Sequence, residues 1–488
     1  MPKVLFINPH HPGRHGEEDI SVIVQMPLNL GYLIALTPDH WEKDIIDETI
    51  ELAMDLDGNL TFSGVDLVAL TSVTYQSPRA YKIAEACKKA GITTIIGGVH
   101  VSTEYEEAMN YCDSVCKGEA EYIWGDILAD FEKGELKKFY DGGLPKLTSL
   151  TEVRPDREFL RKKYDYKFSS IITTKGCPFR CDFCSVPMFQ GRVFRERPVE
   201  DVWEEMETTS YRGLMLAEDN FYGYSKSANE RARKLFTGMA ERGIWKDWFG
   251  FTTLATGNDP VMLDAMAKTG CFGFLVGLES NSEEVLKSMQ KDVNLRIGAD
   301  KLHESIDSIH DNGMIVWGSV IFGADGDDKD CFKRMVDYIL ENSIDTMTYG
   351  IYCPMPRTAL FKRLTAAGRI FRNNFPDDWY YYDSGHLVHR LSTMTLEDFI
   401  EGMQYVYDNL YNPKVLRERF RNSVKRTGNP RNAMFAYRVN QDWDTVYRHN
   451  MGNLIKLYDS GDYYNGLDNQ SVEMMPPRRA ISLPIVHL

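Results

Sequence analysis

Three cysteines within eight residues constrain this chain more than anything else in it: Thr173-Thr174-Lys175-Gly176-Cys177-Pro178-Phe179-Arg180-Cys181-Asp182-Phe183-Cys184. The spacing is C-x3-C-x2-C, directly after an apolar run, Ser169 to Thr173, that reads as a strand. A loop this short brings three thiolates onto one corner of a cubane iron–sulfur cluster. Such clusters are usually held by four cysteines, so three leave one iron free, and an open position on a metal centre is the mark of chemistry over scaffolding. The alternative is a zinc knuckle, but zinc wants a fourth ligand close by, and neither Asp182 nor a nearby His is well placed for it.

The other six cysteines (Cys87, Cys112, Cys116, Cys271, Cys331, Cys353) are scattered through 488 residues. They do not form a disulfide framework, and they point to a reducing cytoplasm. Cys112 and Cys116 could suggest a second metal site, yet they sit in a short strand where a thiol serves as a small hydrophobe. Hydrophobic residues at 43% and charged residues at 26% suit a globular chain with a real core. The length suits about three domains at roughly 150 residues each. A formal net charge of -15 disfavours a nucleic-acid partner held by a basic surface. The N-terminus reads as a first strand and not as a signal peptide. No apolar run approaches about 18 residues, so no transmembrane segment is expected.

Upstream of the cysteines the chain alternates strand and helix. Strands are expected at residues 3–8, Lys43–Asp47, Leu67–Ser72, Thr93–Gly97 and Ser114–Lys117, with helices opening at Pro27 and spanning Pro78–Ala90. Short links between them argue a doubly wound, Rossmann-like parallel sheet, placed over residues 1–147. Ligands of such sheets bind beyond the carboxyl ends of the strands. Those ends carry Asn8, Ser72 and Thr74, Gly97-Gly98-Val99-His100, and Gly118-Glu119-Ala120-Glu121. There is no G-x-G-x-x-G, which disfavours a dinucleotide. A linker is expected from Pro145 to Tyr166. Six strand–helix units follow, with strands at Ser169–Thr173, Gly213–Ala217, Asp247–Thr253, Phe272–Ser280, Val316–Gly323 and Thr346–Cys353, giving a partial (β/α)6 TIM-type barrel over 166–372. Polar residues at the C-terminal ends of barrel strands are where catalysis is expected.

The final part, 373–488, is read as a mainly helical extension that caps the substrate. It opens with an aromatic and His-rich stretch, Asp378 to His389. An amphipathic helix, Thr395–Tyr411, follows, with Thr395 and Asp398 as a capping pair. A basic run, Lys414–Arg426, then offers cations to an anionic head group or forms a solvated face. The tail from Gln470 reads as irregular.

The cysteine loop resembles that of the radical S-adenosylmethionine enzymes, down to Phe183 before the third Cys. The upstream Pro-Leu-x-Leu-Gly-Tyr helix, Gly-Gly-x-His turn and Gly-Glu-Ala-Glu turn are similar to the cobalamin-binding domain of one large subgroup. The segment after the barrel resembles the extension of members acting on hopanoids and other lipids. The resemblance implies Cys177, Cys181 and Cys184 on a 4Fe-4S cluster whose free iron chelates S-adenosylmethionine. One electron then releases a 5′-deoxyadenosyl radical. It also implies S-adenosylmethionine contacts from Phe183, Glu218, Asp219, Asn220, Glu279, Ser280, Phe322, Gly323, Tyr349 and Ile351, with no catalytic residue assigned beyond the cluster. Cobalamin is expected at Asn8, Ser72, Thr74, Gly97, Gly98, His100, Gly118 and Glu119, and substrate at Tyr352, Trp379, Tyr382 and His386.

Two departures stand out. Cobalamin carriers with a protein ligand on cobalt use Asp-x-His-x-x-Gly, whereas this chain has Asn8-Pro9-His10-His11-Pro12-Gly13, so His10 is not expected on cobalt. Pro354-Met355-Pro356-Arg357-Thr358 carries Arg357 where Gly is usual. The implied activity is cobalamin-dependent C-methylation of an unactivated carbon in a lipid- or isoprenoid-like small molecule, with an external one-electron donor such as flavodoxin or ferredoxin. The alternatives are cobalamin-independent radical C–C bond formation, cyclisation or ring contraction on a lipid or tetrapyrrole, and a non-catalytic corrinoid or iron–sulfur binding protein. Methylthiotransferases are disfavoured, because they need three further cysteines in the N-terminal domain.

Overall fold

The computed structural model describes residues 1–10, 26–143, 153–223, 225–297 and 299–464. Its first sheet has six parallel strands, β1 (Lys3–Asn8), β2 (Glu42–Asp47), β3 (Leu67–Thr71), β4 (Thr93–Gly97), β5 (Ser114–Gly118) and β6 (Phe139–Gly143), in the order β2-β1-β3-β4-β5-β6. The order reverses beside β1, as in doubly wound folds. Because side chains alternate across a strand, Val4, Phe6 and Ile95 turn to one core while Leu5, Ile7 and Ile96 turn to another. Five strands were legible in sequence. β6 was not, since Phe139-Tyr140-Asp141-Gly142-Gly143 is too polar and Gly-rich for strand propensity to flag.

The second sheet is also six-stranded and parallel. Its strands are β7 (Phe168–Ile171), β10 (Gly213–Leu216), β11 (Asp247–Thr252), β12 (Cys271–Glu279), β13 (Ile315–Phe322) and β14 (Thr346–Ile351), ordered as the chain runs from β7 to β14. A small antiparallel pair, β8 (Thr174–Lys175) and β9 (Arg195–Glu196), frames the cysteine loop. Along β13 the burial alternates, so that Trp317, Ser319 and Ile321 look inward while Val316 and Val320 are fully buried.

Three helices close the chain: Leu396–Leu410, Pro413–Thr427 and Pro430–Ser460. The first is capped as the sequence suggests, Thr395 and Asp398 bonding each other's backbone amides. In the second, Arg419 is buried and donates to the carbonyls of Leu410, Ile344 and Asp345 beneath β14, so this member of the basic run is spent on the fold. The third was not anticipated. It runs along the inner side of the barrel, where Phe435 packs against Phe249 and Phe272, and Trp443 and Tyr447 against Tyr349. The six scattered cysteines are free and buried, as hydrophobes would be. Part of the expected linker (145–152), the His11–Gly13 stretch and the tail from Gln470 lie outside the described residues. Among the described residues no helix is long and apolar enough to cross a membrane.

Candidate active site

The cysteine loop leaves β7 through two threonines whose hydroxyls both donate to Glu218 at the end of β10, Thr174 at 2.9 Å. Gly176 takes φ +90°, and a Cβ there would fall 2.3 Å from the Val193 carbonyl oxygen, so the turn excludes a side chain. Asp182, between the second and third cysteines, is buried and accepts from Tyr352 Oη at 2.5 Å and Arg363 at 2.8 Å. Its backbone is tied to Met289 and Leu360. The loop is thus held from both ends and from its middle. Burial raises the pKa of all three thiols, that of Cys184 to about 12, so bound iron must displace their protons. Among the described residues no three His, Cys, Asp or Glu side chains gather tightly enough for a single ion. A cubane presents three separate irons, and the loop suits that donor set.

Beneath the loop lies a cavity of about 600 Å³ inside the barrel. Phe183 and Glu279 line it near the cysteines, Ser319, Ile321, Thr348 and Tyr349 form its walls, and Phe249, Trp317, Val439 and Trp443 form its floor and side. Glu279 ends β12 with φ +58°, a strained position for a non-glycine, and its carboxylate pairs with the largely buried Lys291 at 2.7 Å. Asp219 Oδ2 and Asn220 Nδ2, beside the loop, are buried polar atoms without a hydrogen-bond partner among the described residues. Burial and the neighbouring Glu218 push Asp219 up to about 6. Buried polar atoms without partners are costly, and these fit the ammonium and carboxylate of a methionyl group. Glu218 itself is occupied by the two threonines. Of the other residues expected at S-adenosylmethionine, Ser280 turns back on its own loop, Phe322 stacks on Phe332 in the helical layer, Gly323 donates its amide to Asp327, and Ile351 is in the core. Trp317, Ser319 and Thr348 were missed in sequence, although their two-residue spacing along β13 and β14 was the available signal.

The first sheet has its own slot, about 110 Å³, beyond β3, β4 and β5. Asn29, Thr71, Gly97, Gly98, Gly118 and Trp124 are among its walls. Gly98 has φ +104°, and a Cβ on it would meet Ser72 backbone at 2.7 Å. Ser72, next to the lining residue Thr71, has a buried Oγ with no partner among the described residues. A lining of Leu30, Leu33, Ile95 and Trp124 with glycines at the strand ends, and few polar groups, fits the flat tail of a large cofactor such as cobalamin. Other expected cobalamin residues are engaged elsewhere. Asn8 donates to Asp47, Thr74 is buried in a short 3-10 turn, and His100 lies 3.3 Å from Glu107. Glu119 takes a two-pronged bond from Arg195 of β9, and Glu121 pairs with Lys175 of β8. The Gly-Glu-Ala-Glu turn therefore fastens the first sheet to the strands that frame the cysteine loop.

The four residues expected at substrate do not line the barrel cavity. Tyr352 stands behind Asp182, and Tyr382 donates to the Arg372 carbonyl. Trp379 donates to Glu107 of the first domain, and His386 lies between Asp383 and Asn453 beside a separate cavity of about 320 Å³. Ser384, from the same stretch, does reach the barrel cavity.

Residues 171–339 match the Radical SAM superfamily, residues 24–128 the B12 binding domain, and residues 358–457 a domain of unknown function, DUF4070. The bacteriochlorophyllide d C-12(1)-methyltransferase of Chlorobaculum tepidum is 30% identical over 398 residues, 79% of this chain and 84% of that one. The chain belongs to the cobalamin-dependent radical S-adenosylmethionine methyltransferase family. The hopanoid C-2 methylase of Rhodopseudomonas palustris is 25% identical over 370 residues, 73% of this enzyme and 67% of the methylase. Among solved structures, the radical S-adenosylmethionine methyltransferase TsrM from Kitasatospora setae, with cobalamin and a [4Fe-4S] cluster bound, superposes with a TM-score of 0.63 at 15% identity. The match covers 86% of this enzyme and 90% of TsrM. The cobalamin-dependent radical enzyme OxsB, also at 0.63 and 15%, is matched over 97% of this enzyme and 74% of OxsB. The family's cofactors are a 4Fe-4S cluster, S-adenosylmethionine and cobalamin, and the enzyme works on a small molecule with a reductant.

Proposed function

We propose that the enzyme methylates an unactivated carbon on a bulky, mostly apolar, ring-bearing small molecule of the tetrapyrrole or polycyclic isoprenoid class. The observation that carries this reading is the barrel cavity, where apolar residues, Phe183, Phe249, Phe251, Trp317 and Trp443 among them, outnumber the polar ones. Aromatic walls bury large flat ligands well. The similarity to a bacteriochlorophyllide methyltransferase and to a hopanoid methylase supports the same class.

When bound, the cluster with S-adenosylmethionine supplies a radical that abstracts hydrogen, and cobalamin supplies the methyl group. The chain's own residues do the rest. Cys177, Cys181 and Cys184 hold the cluster, with Asp182 and Glu218 fixing their loop. Asp219 and Asn220 receive the methionyl end, with Tyr349 and Ile321 beside the adenosyl end. Ser72, Gly97, Gly98 and Gly118 hold the corrinoid. The Pro430–Ser460 helix keeps water from the inner side of the barrel, so that substrate and not solvent meets the radical. Free buried thiols support a reducing cytoplasm as the place of action.

The test is mass spectrometry of pigment and lipid extracts from a deletion strain and its complement, with a trideuteromethyl label followed from methionine. Loss of a labelled methyl from a ring-bearing apolar compound is expected. An unchanged profile in both fractions refutes the substrate class. An altered product without a change in methyl count favours radical cyclisation.

A further inference from the structure

The surface over the cysteine loop differs from the rest of this acidic chain. Val193, beside β9, is 73% exposed. Pro178 and Arg180, inside the loop, and Arg192, next to Val193, are exposed as well. Arg192 donates to the Phe179 carbonyl at 3.1 Å, which fixes this arginine against the loop and leaves the rest of its guanidinium outward. Neither Arg180 nor Arg192 has a carboxylate partner among the described residues. By contrast Glu196, two residues after the loop's other flank at Phe194, is already paired with Arg231. The Arg192–Phe179 bond thus joins the exposed Arg192–Val193 pair to the three residues that separate Cys177 from Cys181, which carry the exposed Pro178 and Arg180.

We propose that this patch, Pro178, Arg180, Arg192 and Val193, is the docking surface for a small acidic one-electron donor protein, whose redox group meets the cluster across the loop. Each reductive cleavage of S-adenosylmethionine in the radical family takes one electron through the cluster, and the inference rests on that membership and not on the substrate class. At the patch one electron leaves the donor and reduces the cluster by one unit, so a flavin hydroquinone becomes its semiquinone. No bond or proton is exchanged. A net charge of -15 repels an acidic partner over most of the surface. A local pair of cations then sets orientation as well as attraction, because complementary charges mainly govern encounter and register. The exposed Val193 supplies an apolar contact of the kind that a weak, transient redox interface uses. Exposed cations also lie on the Pro413–Thr427 helix, but that helix packs beneath β14, at the barrel end opposite the cysteines.

The experiment titrates purified oxidised flavodoxin, and separately a plant-type ferredoxin, into the anaerobically reconstituted enzyme by calorimetry at low and high salt. Binding of at least one donor at low salt is expected, weakened on the order of tenfold or more by Arg180→Glu with Arg192→Glu and by salt. Val193→Asp, outside the loop, should weaken it as well and serves alone where the double variant loses its cluster. Lys414→Glu with Arg417→Glu and Arg421→Glu should leave binding unchanged. Reduced by dithionite, which needs no docking, the Val193→Asp variant should cleave S-adenosylmethionine as the wild type does. Wild-type affinity in the Val193→Asp and double variants, no binding of either donor to the wild type, or loss of binding only in the helix variant would each overturn the proposal. The binding readout is independent of product formation, so failure of the substrate reading leaves it standing.

Discussion

Trp379 Nε1 donates to the Glu107 carboxylate at 2.9 Å, joining the segment after the barrel to the cobalamin-binding domain across 272 residues of sequence. The same carboxylate takes Tyr81 Oη at 3.0 Å and lies 3.3 Å from His100 Nε2. Two residues that the sequence assigned to different ligands, His100 and Trp379, thus meet at one acid. Against its burial, the donors His100, Trp379 and Tyr81 hold the Glu107 pKa below the usual carboxylate value, so it accepts as a carboxylate. Together with the Glu119–Arg195 and Glu121–Lys175 pairs, it fixes how the two sheets face each other.

Trp379→Phe tests that joint. The ring would keep its stack on Phe375, whose centroid is 3.7 Å away, and only the N–H would be lost. Removing one of several donors to this partly buried carboxylate costs about 0.5–1.5 kcal/mol. We expect a lower denaturation midpoint and faster loss of corrinoid on gel filtration, with the cluster's iron content unchanged. Unaltered stability and corrinoid retention would mean that the bond does not hold the domains.

Asp219 and Glu218 are adjacent acids with different surroundings, and they should respond differently. Asp219→Ala removes a carboxylate with an unpartnered buried oxygen. A charge-assisted hydrogen bond is worth about 1.5–3 kcal/mol, so S-adenosylmethionine binding should weaken roughly 10- to 100-fold. Glu218→Gln keeps an acceptor for one of the two threonines and turns an NH2 toward the other, so it should bind S-adenosylmethionine within about twofold of the wild type, at reduced stability. Calorimetric titration of both variants decides the matter, and the reverse order would return the ammonium to Glu218.

Much of this was legible because strand–helix alternation and strand-end polarity are local signals. The cysteine loop, eleven of the twelve strands of the two six-stranded sheets to within two residues at either end, and the cap at Thr395 follow from patterns a few residues long. The strand β6, with its Gly-Gly end, gave no propensity signal. What was illegible is pairing over distance. Glu119 reads as a ligand-facing turn residue until Arg195 is placed 76 positions later in the chain, and Trp379 reads as a substrate aromatic until Glu107 is found beside it. The Pro430–Ser460 helix was missed because its inward residues, Phe435, Val439, Trp443 and Val446, are interspersed with polar side chains that suit a cavity wall as well as a surface.

Two buried groups near Gly323 predict opposite pH dependences. Burial raises Asp327 to about 6, above its unfolded value near 3.8. Between those values the folded chain binds the extra proton, so this group's contribution to stability falls as pH rises from about 4 to 6. Burial, with Arg369 nearby, lowers His389 from 6.5 to about 4. There the unfolded chain binds the extra proton, and the contribution rises as pH rises through the same window. Denaturant unfolding from pH 4 to 7 should show Asp327→Asn gaining on the wild type as pH rises, by on the order of 2–3 kcal/mol. His389→Gln should lose ground over the same range. Parallel curves for all three proteins would show that neither group titrates in this way.

The last prediction concerns the bond from Tyr352 to Asp182. Tyr352 is fully buried, and its hydroxyl is the shorter of the two side-chain contacts on that carboxylate. Arg363, the other partner, is 42% exposed, and solvent weakens its pairing. Tyr352→Phe should therefore loosen the cysteine loop more than Asp182→Asn, which keeps an acceptor for the tyrosine and gives up only the partly screened ion pair. The expected cost is about 1–2 kcal/mol for the tyrosine variant and below about 1 kcal/mol for the asparagine variant. A loosened loop exposes the cluster, so bleaching of its visible absorbance under a fixed oxygen pulse should accelerate several-fold in Tyr352→Phe. Hydrogen exchange over residues 177–184 should rise in the same order. Faster bleaching in Asp182→Asn than in Tyr352→Phe would show that the charge, and not the tyrosine hydroxyl, holds the loop.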